Sequence, residues 1–418
     1  MKSTYDLIVA GGGLTGVAAA VSAAREGLRV LLIERNGCLG GAMSHNLVFP
    51  FMPYWTVMPE DESKKYLSAG IFEEMNRRQA DYLPNADNKH FHPEFYKLLL
   101  DDMVTEAGVE VLFHATVYGV HTEDRRISSL SVATVGGSME LAASYFVDAT
   151  GNGDLFALAG CDYQLGRDSD GLCQPMTTCF RLSNVDVEAF RRELPALQED
   201  YRRLQQEGKL TNPRENILVF MSFSKNVLHF NTTRVIKCDP TDAFAVSRAE
   251  IEARRQVGEM VRFLQEHSPA CADARLISIA PEIGIRESRK LRGVHVLTAE
   301  ELKALTPFED SIALGNYDID IHNPAGSGTS HYYFPKGDYY RIPYRSLLPK
   351  EYDNLLVAGR CISATHEAQA SIRIMPICAC LGEAAGTAIA VAHRTTHNTH
   401  TLDVKSVQAL LKAHGAVL

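Results

Sequence analysis

The chain has 418 residues, 45% hydrophobic and 22% charged, with a formal net charge of −9. That length points to two or three structural units, and the acidic balance counts against nucleic-acid backbones and acidic lipid surfaces, which need basic patches. A small anionic substrate stays open, because one local arginine cluster is enough to hold it. The nine cysteines are scattered and form no Cys-x-x-Cys pair, so free thiols in a reducing cytosol are expected, without the usual zinc or iron–sulfur spacings.

Lys2 followed by LIVAGGGLTGVAAAVSAA superficially resembles a secretory signal. Asp6 and the glycines Gly11, Gly12 and Gly13 interrupt it, so a buried strand entering a nucleotide loop is expected instead. No other uninterrupted apolar stretch reaches about 18 residues, so no membrane-spanning helix is expected.

Leu7 to Ala10 reads as a central parallel strand and runs into Gly11-x-Gly13-x-x-Gly16. Val17 to Glu26 then has helical spacing, Arg29 to Ile33 reads as a second strand, and Glu34 stands at its end. Gly11 permits the tight turn, Gly13 lets backbone approach a pyrophosphate, and Gly16 lets helix and strand pack closely. The helix start at Leu14 and Thr15 offers free N–H groups to phosphate. Glu34 is placed to accept hydrogen bonds from ribose hydroxyls. Strand, loop, helix, strand and acid in that order make a dinucleotide site.

Glu34-Arg35 is followed by Gly40-Gly41-Ala42. This stretch resembles the loop after the second strand in flavoproteins of the glutathione-reductase-like superfamily. The resemblance implies FAD rather than NAD, and Glu34 would repel a 2′-phosphate. His45 follows where the dimethylbenzene edge of a flavin would lie. Non-covalent FAD is expected, with a histidyl link at His45 as the alternative.

Pro93 opens a helix with Phe95, Leu98, Leu99 and Met103 on one face, ending near Gly108. Val109–Phe113, Thr116–His121, Ile127–Val135 and Met139–Ala142 read as short strands, and Tyr145–Val147 leads into Asp148-Ala149-Thr150-Gly151. This order again resembles the flavoprotein family, in which the residue at Val117 touches adenine and the Ala149-Thr150-Gly151 turn returns to the dinucleotide. From about 160 to 335 the texture changes. Val185–Gln206 and Ser247–His267 read as amphipathic surface helices, with strand-like runs at Ile217–Phe223 and Val227–Phe230. No second glycine fingerprint occurs, so no built-in nicotinamide domain is expected. Asn354–Ala358 then reads as a strand entering Gly359-Arg360. A small-residue helix follows over Ile377–His393, with Gly382, Ala384, Ala385 and Gly386 allowing close approach. His393, His397 and His400 read as a solvated helix end rather than a metal site.

The fold expected is α/β: a Rossmann-like FAD-binding domain, its central parallel sheet carrying a small β-meander, plus an α+β cap. Residues 1–160 and 336–418 form the FAD-binding part and residues 161–335 the cap or substrate domain.

Three stretches, Pro281 to Gly293 (PEIGIRESRKLRG), Arg341 to Pro349 (RIPYRSLLP) and Asn354 to Gly386, together resemble one family. These are the FAD-dependent oxidoreductases distantly related to fumarate reductase flavoproteins. The resemblance implies bound FAD, a cap and a redox reaction, and supplies no substrate. Many FAD proteins carry Gly-Asp after the last strand; here the pair is Gly359-Arg360, and the arginine is expected to neutralise phosphate charge. Ile374-Met375-Pro376 suits N–H groups aimed at flavin O2.

Flavin does the redox step, and the protein must bind, orient and tune it. Oxidising an alcohol or amine also needs a base; reducing an alkene conjugated to a carboxylate needs an acid and a cationic clamp. Arg286 or Arg289 is a candidate clamp oriented by Glu287, the alternative being an ion-pair network with Lys290. His366 is the first choice for acid or base, against a structural role. Arg373 is placed to stabilise negative charge at the flavin N1/O2 edge or on substrate. Tyr344, Arg345 and His331 are weaker substrate-side candidates, and His331–Tyr340 reads as a packed loop. The expected activity is cytoplasmic FAD-dependent hydride transfer to or from flavin N5 on a small polar metabolite, a carboxylate or sugar derivative. The alternatives are a flavoprotein subunit serving an iron–sulfur partner and a tRNA-modifying flavoprotein, the latter opposed by the acidic balance. A redox partner protein or a homo-oligomer stays open.

Overall fold

The computed structural model describes residues 4–82, 89–221 and 224–418. Lys2 and the end of the run to Phe223 lie outside them. In β1 (Thr4–Ala10), Leu7, Ile8 and Val9 are all fully buried. A strand apolar at successive positions needs cover on both faces. Leu7 and Val9 enter one hydrophobic cluster, and Ile8 and Ala10 enter another on the opposite face.

The chain continues through α1 (Leu14–Arg25), β2 (Val30–Ile33), the hairpin of β3 (Trp55–Val57) and β4 (Lys64–Tyr66), α2 (Ile71–Arg78) and α3 (Pro93–Glu106). Next come β5 (Glu110–Leu112), β6 (Thr116–Glu123), β7 (Arg126–Thr134) and β8 (Gly137–Asp148). Their order in the main sheet is β5-β2-β1-β8-β7-β6, with β5, β2, β1 and the end of β8 parallel. The pattern gives a short strand at Met139–Ala142 and a run at Tyr145–Val147 leading into the turn; the chain instead runs as one twelve-residue strand. Its first half pairs antiparallel with β7 and its second half continues along β1, so the polar break at Ser144 marks a change of neighbour, not an end.

A separate antiparallel sheet, ordered β11-β12-β10-β13, follows α4 (Asp154–Leu158) and β9 (Tyr163–Leu165). It comprises β10 (Phe180–Ser183), β11 (Val219–Met221), β12 (Leu228–Phe230) and β13 (Arg275–Ile279). Helices α5 (Val187–Gln206) and α6 (Ala243–His267) cover it, and Phe180, Phe190, Tyr201, Phe230 and Phe263 share their core. Asp242 caps α6 by accepting from the Phe244 and Ala245 N–H groups, so the helix starts before the Ser247 suggested by the apolar pattern. Phe244 is exposed, which hid that first turn from the pattern.

The chain then forms β14 (Arg289–Leu291), paired with β9, α7 (Ala299–Lys303), β15 (Ser311–Gly315), β16 (Ile319–His322), β17 (Thr329–Tyr332) and β18 (Tyr340–Pro343). The run from His331 to Tyr340 is therefore shared between two strand ends and their loop. β19 (Leu355–Val357) rejoins the main sheet in parallel beside the end of β8, placing Val357 opposite Asp148. After it come α8 (His366–Ile372), α9 (Met375–Arg394) and α10 (Val404–Ala413).

Among the described residues, α9 has the length and composition of a membrane span, and its apolar stretch lies inside the core. It crosses α1 in backbone contact. A Cβ added at Gly382 would sit 2.0 Å from the Thr15 carbonyl oxygen, and one at Gly386 would sit 2.2 Å from that of Ala19. Gly382→Ala should therefore cost about 1–3 kcal/mol in chemical denaturation, as overpacking does. Gly258→Ala in α6, where a Cβ meets only the Arg262 side-chain tip at 3.6 Å, should be neutral or stabilise by up to about 1 kcal/mol.

Glu383 of α9 is buried under the start of α2, where Oε2 accepts the Ile71 N–H at 3.1 Å and Oε1 has no partner. Burial outweighs that hydrogen bond and pushes the carboxyl up to about 7. The folded chain then holds a proton that the unfolded chain releases. The stability this group allows is complete below the ordinary glutamate value and is lost as pH rises through about 7. Glu383→Gln should remove that loss, with wild type and variant diverging by on the order of 3 kcal/mol at pH 8 and converging near pH 4 in urea melts.

Candidate active site

The carboxyl ends of β1, β2, β8 and β19 open onto a crevice, the usual ligand position of an open α/β sheet. A cavity of about 900 Å³ lies there. Its lining includes Gly11, Gly13, Leu14 and Thr15 from the first loop, Glu34 and Arg35 after β2, and Gly40 to Ala42. The Ala149-Thr150-Gly151 turn, Gly359-Arg360 and Met375 complete it. Gly11 has φ +103°, and a Cβ there would lie 2.5 Å from the Ala149 carbonyl oxygen. Gly16 does not line the cavity; it packs on Gly11. Gly13 faces open space, with no atom closer than 3.8 Å to an added Cβ.

Glu34 is buried and fixed by its own loop, accepting the Gly12 N–H at 2.7 Å on Oε2 and the Asn36 N–H at 2.8 Å on Oε1. Arg35 pairs with Glu282 from the loop after β13. A side cavity beside Glu34 is lined by Ala115, Thr116 and Val117, with Thr150 and Asp154 opposite. Asp148, fully buried, accepts from the Thr150 N–H (3.0 Å), the Thr150 hydroxyl (2.7 Å) and the Phe156 N–H (2.9 Å). It thereby holds the turn and the start of α4 in place. Burial pushes its carboxyl up to about 6 despite those bonds.

Arg360 lies under Gly151, donates to Asn152 Oδ1 at 2.8 Å, and keeps a buried Nε without a partner. Burial lowers its pKa. An orphaned guanidinium N–H, an open glycine face and the N-terminus of α1 in one cleft fit a dinucleotide pyrophosphate. His45 also lines this cavity, with Nε2 3.1 Å from the Cys38 carbonyl oxygen and 3.7 Å from its Sγ. Burial works to lower its pKa, but the Cys38 contacts outweigh it and the net shift is upward.

A second cavity of about 660 Å³ shares Ala42, Arg360, Arg373 and Met375 with the first. Arg286, Thr177 and Asn231 line one side; Val48, Pro50, Met52, Ile285 and Ile374 are among its apolar residues. Arg286 donates to the Pro175 carbonyl at 2.6 Å and to Asn231 Oδ1 at 3.4 Å. Among the described residues no ion pair neutralises it. Burial, and then the nearby Arg214, Arg373 and Arg234, push its pKa down to about 9. Arg373 is anchored by Asp320 at 3.2 Å, and its buried Nε is unpartnered. Burial alone would raise the Asp320 carboxyl; His322, Arg373 and Tyr317 hold it well below the usual range.

A family model for FAD dependent oxidoreductases matches residues 6–411. The chain belongs to that family, and FAD is its cofactor. This oxidoreductase is 25% identical over 203 residues to a digeranylgeranylglycerophospholipid reductase of Methanoculleus marisnigri, covering 45% of the chain and 48% of that relative. It is 26% identical over 203 residues to digeranylgeranylglycerophospholipid reductase 1 of Methanococcoides burtonii, covering 45% and 47%. The chain thus spans about half the length of the curated relatives it matches. Among solved structures it is similar to a geranylgeranyl bacteriochlorophyll reductase-like protein of Thermoplasma acidophilum, at 14% identity and a TM-score of 0.48, over 100% of this chain and 85% of that one.

The remaining candidates of this oxidoreductase lie elsewhere. His366 is buried in α8 with Nδ1 2.8 Å from Glu287, and Glu287 also takes Lys290 Nζ at 2.5 Å and the Gln174 N–H at 2.9 Å. Burial opposes ionisation of Glu287, but His366 and Lys290 prevail and hold its pKa below the ordinary value. Neither His366 nor Glu287 lines either cavity. Arg289 pairs with Asp154 at 3.0 Å, Arg345 with Asp310 at 2.9 Å and His331 with Asp318, while the Tyr344 hydroxyl donates to the Thr399 carbonyl. These are the ion pairs and hydrogen bonds of a packed structure. At the tail, His400 bonds the Tyr352 carbonyl and the His393 and His397 rings meet edge-on. Thr177, Asn231 and Met52 were not singled out from the sequence, because they come from separate loops that share no motif.

Arg360→Met should weaken FAD binding roughly 10- to 100-fold, the worth of one or two charged hydrogen bonds. Flavin fluorescence titration of the apoprotein measures it, and the far-UV spectrum should stay unchanged.

Proposed function

We propose that this FAD-dependent oxidoreductase transfers hydride between flavin N5 and a small substrate in the second cavity, with Arg286 clamping the substrate's anionic group, a carboxylate first. The observation that carries the reading is the state of Arg286. It is a half-buried cation facing the cavity beside three other arginines, and its protein partners are a carbonyl and an amide. A cation drawn partly out of water without a counter-ion is costly, and a substrate anion lowers that cost.

When bound, FAD would supply the two-electron chemistry at N5. The chain's residues do the rest. Gly13, the start of α1 and Arg360 would hold the pyrophosphate, Glu34 the ribose, and the Val117 side cavity the adenine. Arg373, held by Asp320, and the start of α9 at Ile374 and Met375 would stabilise negative charge at the N1/O2 edge. Non-covalent binding is favoured because His45 is engaged by Cys38. Residues 1–160 and 336–418 carry the cofactor in this reading, and residues 161–335 supply Thr177, Asn231 and Arg286. The described lining of the second cavity offers cations and no carboxylate or imidazole. That favours reduction of a carboxylate-activated substrate over oxidation of an alcohol, which needs a base.

The curated relatives act on a prenyl lipid, and the apolar residues of the second cavity favour that as the second reading. A wholly hydrocarbon occupant would leave Arg286 unpaired, so the anionic substrate is preferred. An anaerobic metabolite screen for flavin bleaching or reoxidation tests the proposal. Arg286→Met should keep its flavin and lose roughly 10- to 150-fold in kcat/KM, as expected for one charged hydrogen-bonded contact. An unchanged rate overturns it.

A further inference from the structure

We infer that the second cavity selects an anion attached to an apolar body and rejects a polyhydroxylated one; this rests on the reading of Arg286 above. The hydrogen-bonding groups at the Arg286 side are spent in a particular way. The Thr177 hydroxyl donates to the Thr233 carbonyl at 2.7 Å, and its oxygen contacts Asn231 Oδ1 at 3.1 Å. Asn231 Oδ1 also accepts from Arg286. The Asn231 carbonyl oxygen beside the guanidinium and the Thr177 hydroxyl proton are thus committed within the protein. What that side offers a ligand is mainly donors: the remaining Arg286 N–H groups and the amide NH₂ of Asn231, against the single hydroxyl oxygen of Thr177. Donors suit a carboxylate, which only accepts, better than a hydroxyl that must also donate.

The rest of the lining sharpens the choice. Asn46 spends its amide NH₂ on the Glu282 and Ile283 carbonyls and leaves one amide oxygen; against it, Val48, Pro50, Met52, Ile285, Ile374 and Met375 supply no side-chain hydrogen-bonding group stronger than a thioether. Every substrate hydroxyl turned toward them gives up its water without a replacement, which weakens binding roughly tenfold each. A hydrocarbon or aromatic body loses nothing there and gains from leaving water. A sugar acid is therefore disfavoured, and an unsaturated or aromatic carboxylate fits.

The test titrates the FAD-loaded enzyme with three probes and follows the shift of the flavin absorption bands. The probes are trans-cinnamate, cinnamamide with the same body and no charge, and gluconate with the same charge and a hydroxylated body. Cinnamate should bind at least tenfold more tightly than either of the others. Arg286→Met should abolish its advantage over cinnamamide. Gluconate binding as tightly as cinnamate, with Arg286 still required, overturns this inference and leaves the anion clamp standing. Cinnamate and cinnamamide binding alike, with no effect of Arg286→Met, overturns both. No response to cinnamate at millimolar concentration also overturns the inference.

Discussion

Helices α1 and α9 meet backbone to backbone because Gly382 and Gly386 bring no side chain between them and the carbonyls of Thr15 and Ala19. The two helices come from opposite ends of the chain, and each opens at the same crevice, α1 after Gly13 and α9 after Ile374. Their crossing distance sets how far apart those N-termini lie. Neither start carries a side-chain cap, so both leave backbone N–H groups to a ligand. A wider separation would dismantle the crevice that a dinucleotide must fill. β19 reinforces the arrangement by pairing with β8, which puts Gly359-Arg360 next to the Ala149-Thr150-Gly151 turn.

The second constraint is charge. Arg214, Arg234, Arg286 and Arg373 are drawn together behind the second cavity, with Glu215 and Asp320 as the carboxylates among them. His322 sits between Arg234 and Asp320, and burial with nearby Arg286 pushes its pKa down to about 3. It therefore contributes no charge near neutrality, and the positive excess stays with the guanidiniums. In a desolvated site such an excess acts strongly on an incoming anion, because little water remains to screen it.

A different charged group joins the layers. Glu287, Lys290 and His366 link β14 and the residues just before it to α8, with no water-facing side chain among them. Such a buried set is costly to break, since removing one partner strands the others. His366 reads as an acid–base candidate because it follows Gly359 closely and an imidazole can both take and give a proton. The fold turns it instead toward Glu287, because α8 presents that face to the chain entering β14.

The sequence by itself determined the features whose geometry is local. Gly11 to Gly16, Glu34, the Ala149 to Gly151 turn and Gly359-Arg360 each define a backbone shape within a few residues. Neighbouring residues along a chain cannot drift apart, so those shapes survive folding. The parallel sheet and the helices α1, α3, α5 and α9 were legible for a similar reason: their apolar spacing follows the period of the element. Only the tertiary structure decided that β8 is one strand, that α6 begins at Ala243, and that the second cavity joins Met52, Thr177, Asn231, Arg286 and Arg373. Those residues are far apart in sequence and carry no shared period. Their meeting depends on how the cap sheet, the loop after β2 and the start of α9 pack together, and such packing is a sum over many distant contacts that no short stretch encodes.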